Sequence, residues 1–152
     1  MSIAPSAASC NHLLAALPQS ELLQLLDKCE AVDLKFAEIL AEPGEPIRHV
    51  YFPTRSAIVL VTLMDDRASL EVGLVGNEGI VGTALVLDMA VSPQRALVQG
   101  PGAALRMKAE LFRQALEGSP ELQHVLKRYV HAVMAQLAQT AGCTRFHVVE
   151  AR

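Results

Sequence analysis

The sequence predicts a mainly β domain, a sandwich or barrel, with helices at both ends. Two observations carry that expectation. Between Val32 and about Met107, short aliphatic and β-branched runs alternate with turn residues, the spacing of an all-β domain. On either side of this region apolar residues recur at helical intervals instead. At 152 residues the chain has the size of one domain and can bury roughly two thirds of the surface its unfolded form exposes.

Residues 1–9 are small, polar and proline-containing and read as a flexible tail. Asn11 can cap a short helix bearing Leu13, Leu14 and Leu17, with Pro18 as its stop. Ser20 and Glu21 restart a helical stretch whose Leu22, Leu23, Leu25 and Leu26 can lie across a core. Strands are expected at Val32–Leu34, Glu38–Leu40, Val50–Phe52, Ala57–Met64, Leu70–Val75, Ala96–Gln99 and Ala104–Met107. Glu42-Pro-Gly-Glu-Pro46, Asp65-Asp66 and Gly100-Pro-Gly102 supply turns between them, proline presetting φ and glycine tolerating its positive values.

After Met107 the pattern is helical. Lys108–Leu116 reads as a short helix closed by Gly118, and Ser119-Pro120 opens a long one, serine as cap and proline at the first helical position. The helical cap and β region thus occupy 10–118 and the long helix 119–152. Leu122, Leu126, Tyr129 and Val133 form one apolar stripe on that helix, with Val130, Met134, Leu137 and Ala141 forming another beside it. Either one broad face is buried within the domain, or one stripe packs on the β region and the other on a second subunit. We expect a homodimer, with Leu126, Tyr129, Val133, Leu137 and Thr140 at the contact. The helix meets no terminating glycine or proline between Gly142 and Arg152, so more protein is expected to follow.

Gly73, Gly76, Gly79 and Gly82 recur at every third position in an otherwise aliphatic run. Such a cluster implies positive φ angles or a backbone that something approaches closely. A turn-rich cradle for a ligand and ligand-free corners of a barrel both satisfy it.

Thirteen Lys and Arg against sixteen Asp and Glu give a net charge of -3, which leaves no electrostatic footprint for nonspecific DNA binding. No apolar run approaches a bilayer span and no signal peptide opens the chain, so a soluble, cytoplasmic protein without membrane contact is expected. Cys10, Cys29 and Cys143 are odd in number and widely spaced, which points to free thiols.

The order of helical cap, β region with glycine-rich cassette, short helix and long helix resembles the sensor half of the Crp/Fnr superfamily of bacterial transcription regulators. The specific residues are Glu42-Pro-Gly-Glu-Pro-Ile-Arg-His-Val-Tyr-Phe-Pro53, Gly76-Asn-Glu-Gly-Ile-Val-Gly-Thr83, Ser92-Pro-Gln-Arg-Ala96, the helix from Pro120 and the ending Phe146-His-Val-Val-Glu-Ala-Arg152. The resemblance implies a cyclic-nucleotide-binding-like β-roll, or double-stranded β-helix, with an N-terminal helical cap and a long C-terminal dimerisation helix. It also implies that DNA is read only through a C-terminal helix-turn-helix domain not contained in this chain.

The same resemblance places a ligand pocket at Gly79, Gly82, Thr83, Gln94, Arg95, Ala96, Leu137 and Ala138, and there the chain departs from its cAMP-binding relatives. Gly82-Thr83 stands where they carry Gly-Glu for the ribose hydroxyl. Gln94-Arg95-Ala96 stands where they carry Arg-Ser/Thr-Ala, so the guanidinium that would pair the cyclic phosphate comes one residue late. In a strand that shift turns it to the opposite face unless a bulge restores it. Leu137-Ala138 replaces a Thr-Ser pair that contacts the base. These changes argue against cAMP and leave a small anionic ligand on the Gly79–Thr83 backbone, or a vestigial pocket in a pure dimerisation module.

Other chemistry finds little support. An iron-sulfur cluster needs four cysteines and the chain has three. His124 and His131 stand two helical turns apart, about 10 Å, too far to share a metal. Haem ligation by a single His49, His124 or His131 competes with solvated or core histidine, and Cys143 as a redox switch competes with a packed thiol. A cupin-type enzyme needs several strand histidines, of which only His49 exists; no enzymatic activity is expected.

Overall fold

A computed structural model of the protein describes residues 3–65 and 68–150, the last seven of these by backbone alone. Three short helices, α1 (Pro5–Ala8), α2 (His12–Ala15) and α3 (Gln19–Leu26), precede the β region. Its strands are β1 (Cys29–Leu34), β2 (Ile39–Ala41), β3 (His49–Pro53), β4 (Ala57–Leu63), β5 (Ser69–Val75), β6 (Arg95–Gly100) and β7 (Gly102–Lys108), with a 3-10 helix at Thr83–Leu87 between β5 and β6. Then follow α4 (Ala109–Gly118) and α5 (Pro120–Glu150). Every expected strand is present, with small shifts at the ends.

The strands form two antiparallel sheets, one ordered β1-β7-β3 and the other β2-β6-β4-β5. Side chains alternate across a strand, and this alternation builds two cores. From β3 and β7, Val50, Phe52, Leu105 and Met107 face the helices and pack with Leu14, Leu25, Phe112, Leu122 and Leu126. The intervening Tyr51 and Ala104 face the other way, into a core between the sheets with Leu34, Ile58, Val75, Val81, Ala96 and Val98.

Three sequence expectations need correction. The flexible tail contains α1, whose Ala8 is fully buried against the helical core; a small side chain packs between helices as readily as it decorates a loose end. The helix expected to restart at Ser20 begins at Gln19, because Pro18, extended at φ -56 and ψ 148, stands immediately before it as the N-cap. Leu23 of that helix faces solvent. Asp66 of the Asp65-Asp66 turn and Arg152 at the chain's end lie outside the described residues, as do the side chains from Thr144 onward.

Candidate ligand-binding site

The glycine-rich segment leaves β5 as a turn that satisfies much of its own polarity. The Glu78 carboxylate accepts from the Gly76 amide at 3.1 Å through each of its oxygens. The Gly79 amide donates to the Gly76 carbonyl at 3.2 Å, and Val81 and Tyr51 exchange backbone bonds at 2.9 and 3.1 Å. The Gly79 carbonyl accepts from the Asn11 side-chain amide at 2.9 Å, which also donates to the Pro53 carbonyl at 2.9 Å. Asn11 thus does more than cap α2, where its Oδ1 takes the Leu13 and Leu14 amides.

Tyr129 closes this turn from α5. Its phenol lies where a Cβ on Gly79 would stand, and the Ile80 amide donates toward the phenol oxygen. Burial, with the Glu78 charge adding to it, pushes the phenol up to about 12. Of the amides from Gly79 to Thr83, three are therefore committed within the protein, and the open anion cradle expected over this stretch is largely filled by the chain's own groups. Gly82 has φ +116 and sits against Val50. Thr83 then opens the 3-10 helix, whose Leu85 is buried. Gly76 is approached by the Glu78 carboxylate, 2.9 Å from where its Cβ would stand, whereas Gly73 has only an ordinary contact with Leu60, so Gly73 alone of the four is not marked by a close approach or a positive φ.

Arg95 and Ala96 answer the register question. On β6, Ala96 and Val98 are buried in the core between the sheets, and β4–β6 pairing runs unbroken from Ile58↔Val98 to Val61↔Arg95. No bulge separates Arg95 from Ala96 on this ladder, so the guanidinium emerges on the outer face of its sheet. There it meets Glu42 in a forked pair, Nε to Oε1 at 2.5 Å and Nη2 to Oε2 at 3.2 Å. Gln94 is half-buried, its carbonyl accepting from the Ser92 hydroxyl at 2.7 Å.

The residues expected from α5 divide. Leu126 is fully buried in the domain's own core, with Tyr129 packed beside it. This corrects the assignment of Leu126 to a dimer contact, because its side chain is spent on the β region and the helical cap; Tyr129 is half-buried. Val133 is half-buried, whereas Leu137, Ala138 and Thr140 are exposed. Leu137 and Ala138 therefore do not cover the cassette within this chain. Among the described residues no His, Cys, Asp and Glu cluster could hold a metal ion, and no helix is long and apolar enough to cross a membrane.

No protein-family model and no curated protein match the sequence, but solved structures resemble the chain. The sensor domain of the transcriptional regulator DNR from Pseudomonas aeruginosa superposes with a TM-score of 0.66 at 16% identity, over 85% of this chain and 91% of that one. The N-terminal domain of a transcriptional regulator from Streptomyces coelicolor A3(2) gives 0.63 at 21%, over 91% and 94%. The fold is that of cyclic-nucleotide-binding-like domains. The regulatory subunit of a cAMP-independent protein kinase A from Trypanosoma brucei shares it, with a TM-score of 0.71 at 19% identity over 83% of this chain. This chain spans only 45% of that subunit. At such identities the likeness is one of fold.

Within this cyclic-nucleotide-binding-like domain, Gly79, Gly82 and Thr83 stay together on one turn. Arg95 is directed out of the roll, and Leu137-Ala138 lies on the exposed part of α5. The sequence reading missed the Asn11 clamp, the Glu42 partner of Arg95 and the Tyr129 closure. Only Tyr129 left a signal, as the single residue with a polar tip in an otherwise aliphatic stripe.

Proposed function

We propose that this chain is the signal-receiving and dimerisation region of a Crp/Fnr-type transcription regulator, with a cassette that takes something other than cAMP and DNA read by a further helix-turn-helix domain. The fold likeness to two bacterial regulator domains over nine tenths of their length supports the first part. One observation carries the second: Arg95, the guanidinium nearest the family's phosphate position, stands on the outer face and is paired with Glu42. A cyclic nucleotide would lack that contact, the ribose carboxylate and the polar pair from the long helix. Each such contact contributes about 1–3 kcal/mol, and every 1.4 kcal/mol is about tenfold in affinity, so the combined loss spans several orders of magnitude.

Calorimetry with cAMP, cGMP and small anionic metabolites tests the reading. Low-micromolar cAMP binding that Arg95→Ala abolishes would overturn it. A second reading, a dimerisation module with a vestigial pocket, is favoured by the internally satisfied amides of the cassette turn. Silence toward every ligand on the panel would select it.

A further inference from the structure

An open cleft of about 590 Å³ lies between β1, the turn that follows it and Arg106. None of its lining residues belongs to the cassette. Arg106 shares the inward face of β7 with Ala104 and stands opposite Glu30 on β1 and Tyr51 on β3. The Glu30 carboxylate accepts from Nη2 at 3.2 Å, and the Tyr51 hydroxyl is a second partner. A guanidinium carries five N–H donors, and here Nε is buried without an acceptor. Buried polar atoms are nearly always paired, so this group is under-satisfied.

The turn across the cleft is held rigidly. The Lys35 amide donates to Glu38 Oε1 at 3.0 Å, while Ala37 and Glu38 exchange backbone bonds with Val98 at 2.9 Å each. Ala37 takes φ 68. This frame presents Phe36 to solvent with 71% of its surface exposed. The cleft therefore joins an exposed aromatic ring, the aliphatic Val32 and Leu34, and charges of both signs, Lys35 and the Glu30-paired Arg106 beside Asp33 and Glu38.

We propose that this mouth of the roll is a small-molecule site separate from the cassette, and that it takes a zwitterion with an apolar side chain, of the α-amino-acid type. A lining that carries both signs complements a ligand that bears both. The carboxylate meets Arg106 in a charge-assisted hydrogen bond. The ammonium faces Glu38 and the ring of Phe36, and the side chain covers Val32 and Leu34. Because the turn is already ordered by its backbone bonds, little conformational freedom is lost on binding.

Titration of the isotope-labelled protein with L-phenylalanine, followed by amide and arginine Nε–H resonances, tests the site. Saturable shifts at residues 35–38 and at Arg106, complete below about 10 mM, are expected. Phe36→Ser and Arg106→Lys, the latter keeping the charge but losing Nε, should each weaken binding at least about tenfold, as should replacing the ligand by phenylacetate or phenethylamine. Thermal melting of both variants verifies that they fold. No saturable change at 35–38, equal binding of either single-charge analogue, or undiminished binding to Phe36→Ser overturns the proposal. Shifts confined to residues 76–83 do so too, while leaving a ligand-responsive cassette in place.

Discussion

Replacing Gly79 by alanine sets one methyl group against Tyr129. The added Cβ would stand within 3.0 Å of the phenol oxygen, Cζ and Cε1. Neither side can yield easily: Asn11 and Gly76 hold the Gly79 carbonyl and amide, and Tyr129 follows the fully buried Leu126 by one helical turn. Gly79 does not have a positive φ, so the substitution tests the clash without backbone strain. Overpacking of this kind costs about 1–3 kcal/mol; at roughly 2–4 °C per kcal/mol for a domain of this size, the midpoint of that range lowers Tm by about 4–8 °C. Tyr129→Phe added to Gly79→Ala removes the worst overlap but leaves the ring carbons, so recovery should be partial, with a coupling of at least about 0.5 kcal/mol in the double-mutant cycle. Gly142→Ala is the control. Nothing lies within 4 Å of its Cβ position, and alanine in a helix interior should stabilise by about 0.5–1 kcal/mol. Calorimetric melting of the wild type, Gly79→Ala, Tyr129→Phe, the double variant and Gly142→Ala decides the matter. A Gly79→Ala protein that melts with the wild type, or strict additivity in the double mutant, would refute the Tyr129 closure.

The Tyr129 phenol titrates at about 12 in the folded state against 10.0 when unfolded. Its contribution to stability is therefore complete below pH 10 and lost as pH rises to 12. Tyr51 moves in the same direction through burial, so absorbance at pH 10 should show less than half of the phenols ionised in the native protein, and ionisation to half or more there would contradict the burials. Met134, on the stripe of α5 left in solvent, is the point to break a dimer. Sedimentation should show the wild type as a dimer at tens of micromolar, on the order expected of a modest interface, and Met134→Glu as a monomer; a monomeric wild type removes the dimer. Burial pushes the Cys29 thiol up to about 12, so a thiol reagent at pH 8 should modify the exposed Cys143 and spare Cys29 until the protein unfolds. Equal labelling rates for the two would show that β1 is not packed as described.

The strands were legible because their signals are local: alternation of side chains, with proline and glycine where the chain turns. The outward placement of Arg95 followed from the same two-residue period. Partners were not legible in this way. An apolar stripe announces burial without saying against what, and for that reason it points Leu126 to a second subunit when its own domain covers it. The glycine spacing likewise signalled a close approach, but the approaching group comes from α5, in the same chain. Arg106 and Glu30 are 76 residues apart, and only the strand register brings them to one rung; nothing in either neighbourhood announces the other.

Asn11 has a consequence for the order in which the chain folds. Its side-chain acceptors lie 42 and 68 residues downstream, and the helix it caps has only four residues, far fewer than the roughly 12–15 an isolated helix needs in water. Asn11 is made well before Gly79, yet its side chain has no Gly79 carbonyl to hold until that residue is in place. Its docking is therefore a late event, in which an already formed roll templates the first helices, and slowing the closure of the 76–80 turn should delay the ordering of residues made well before it.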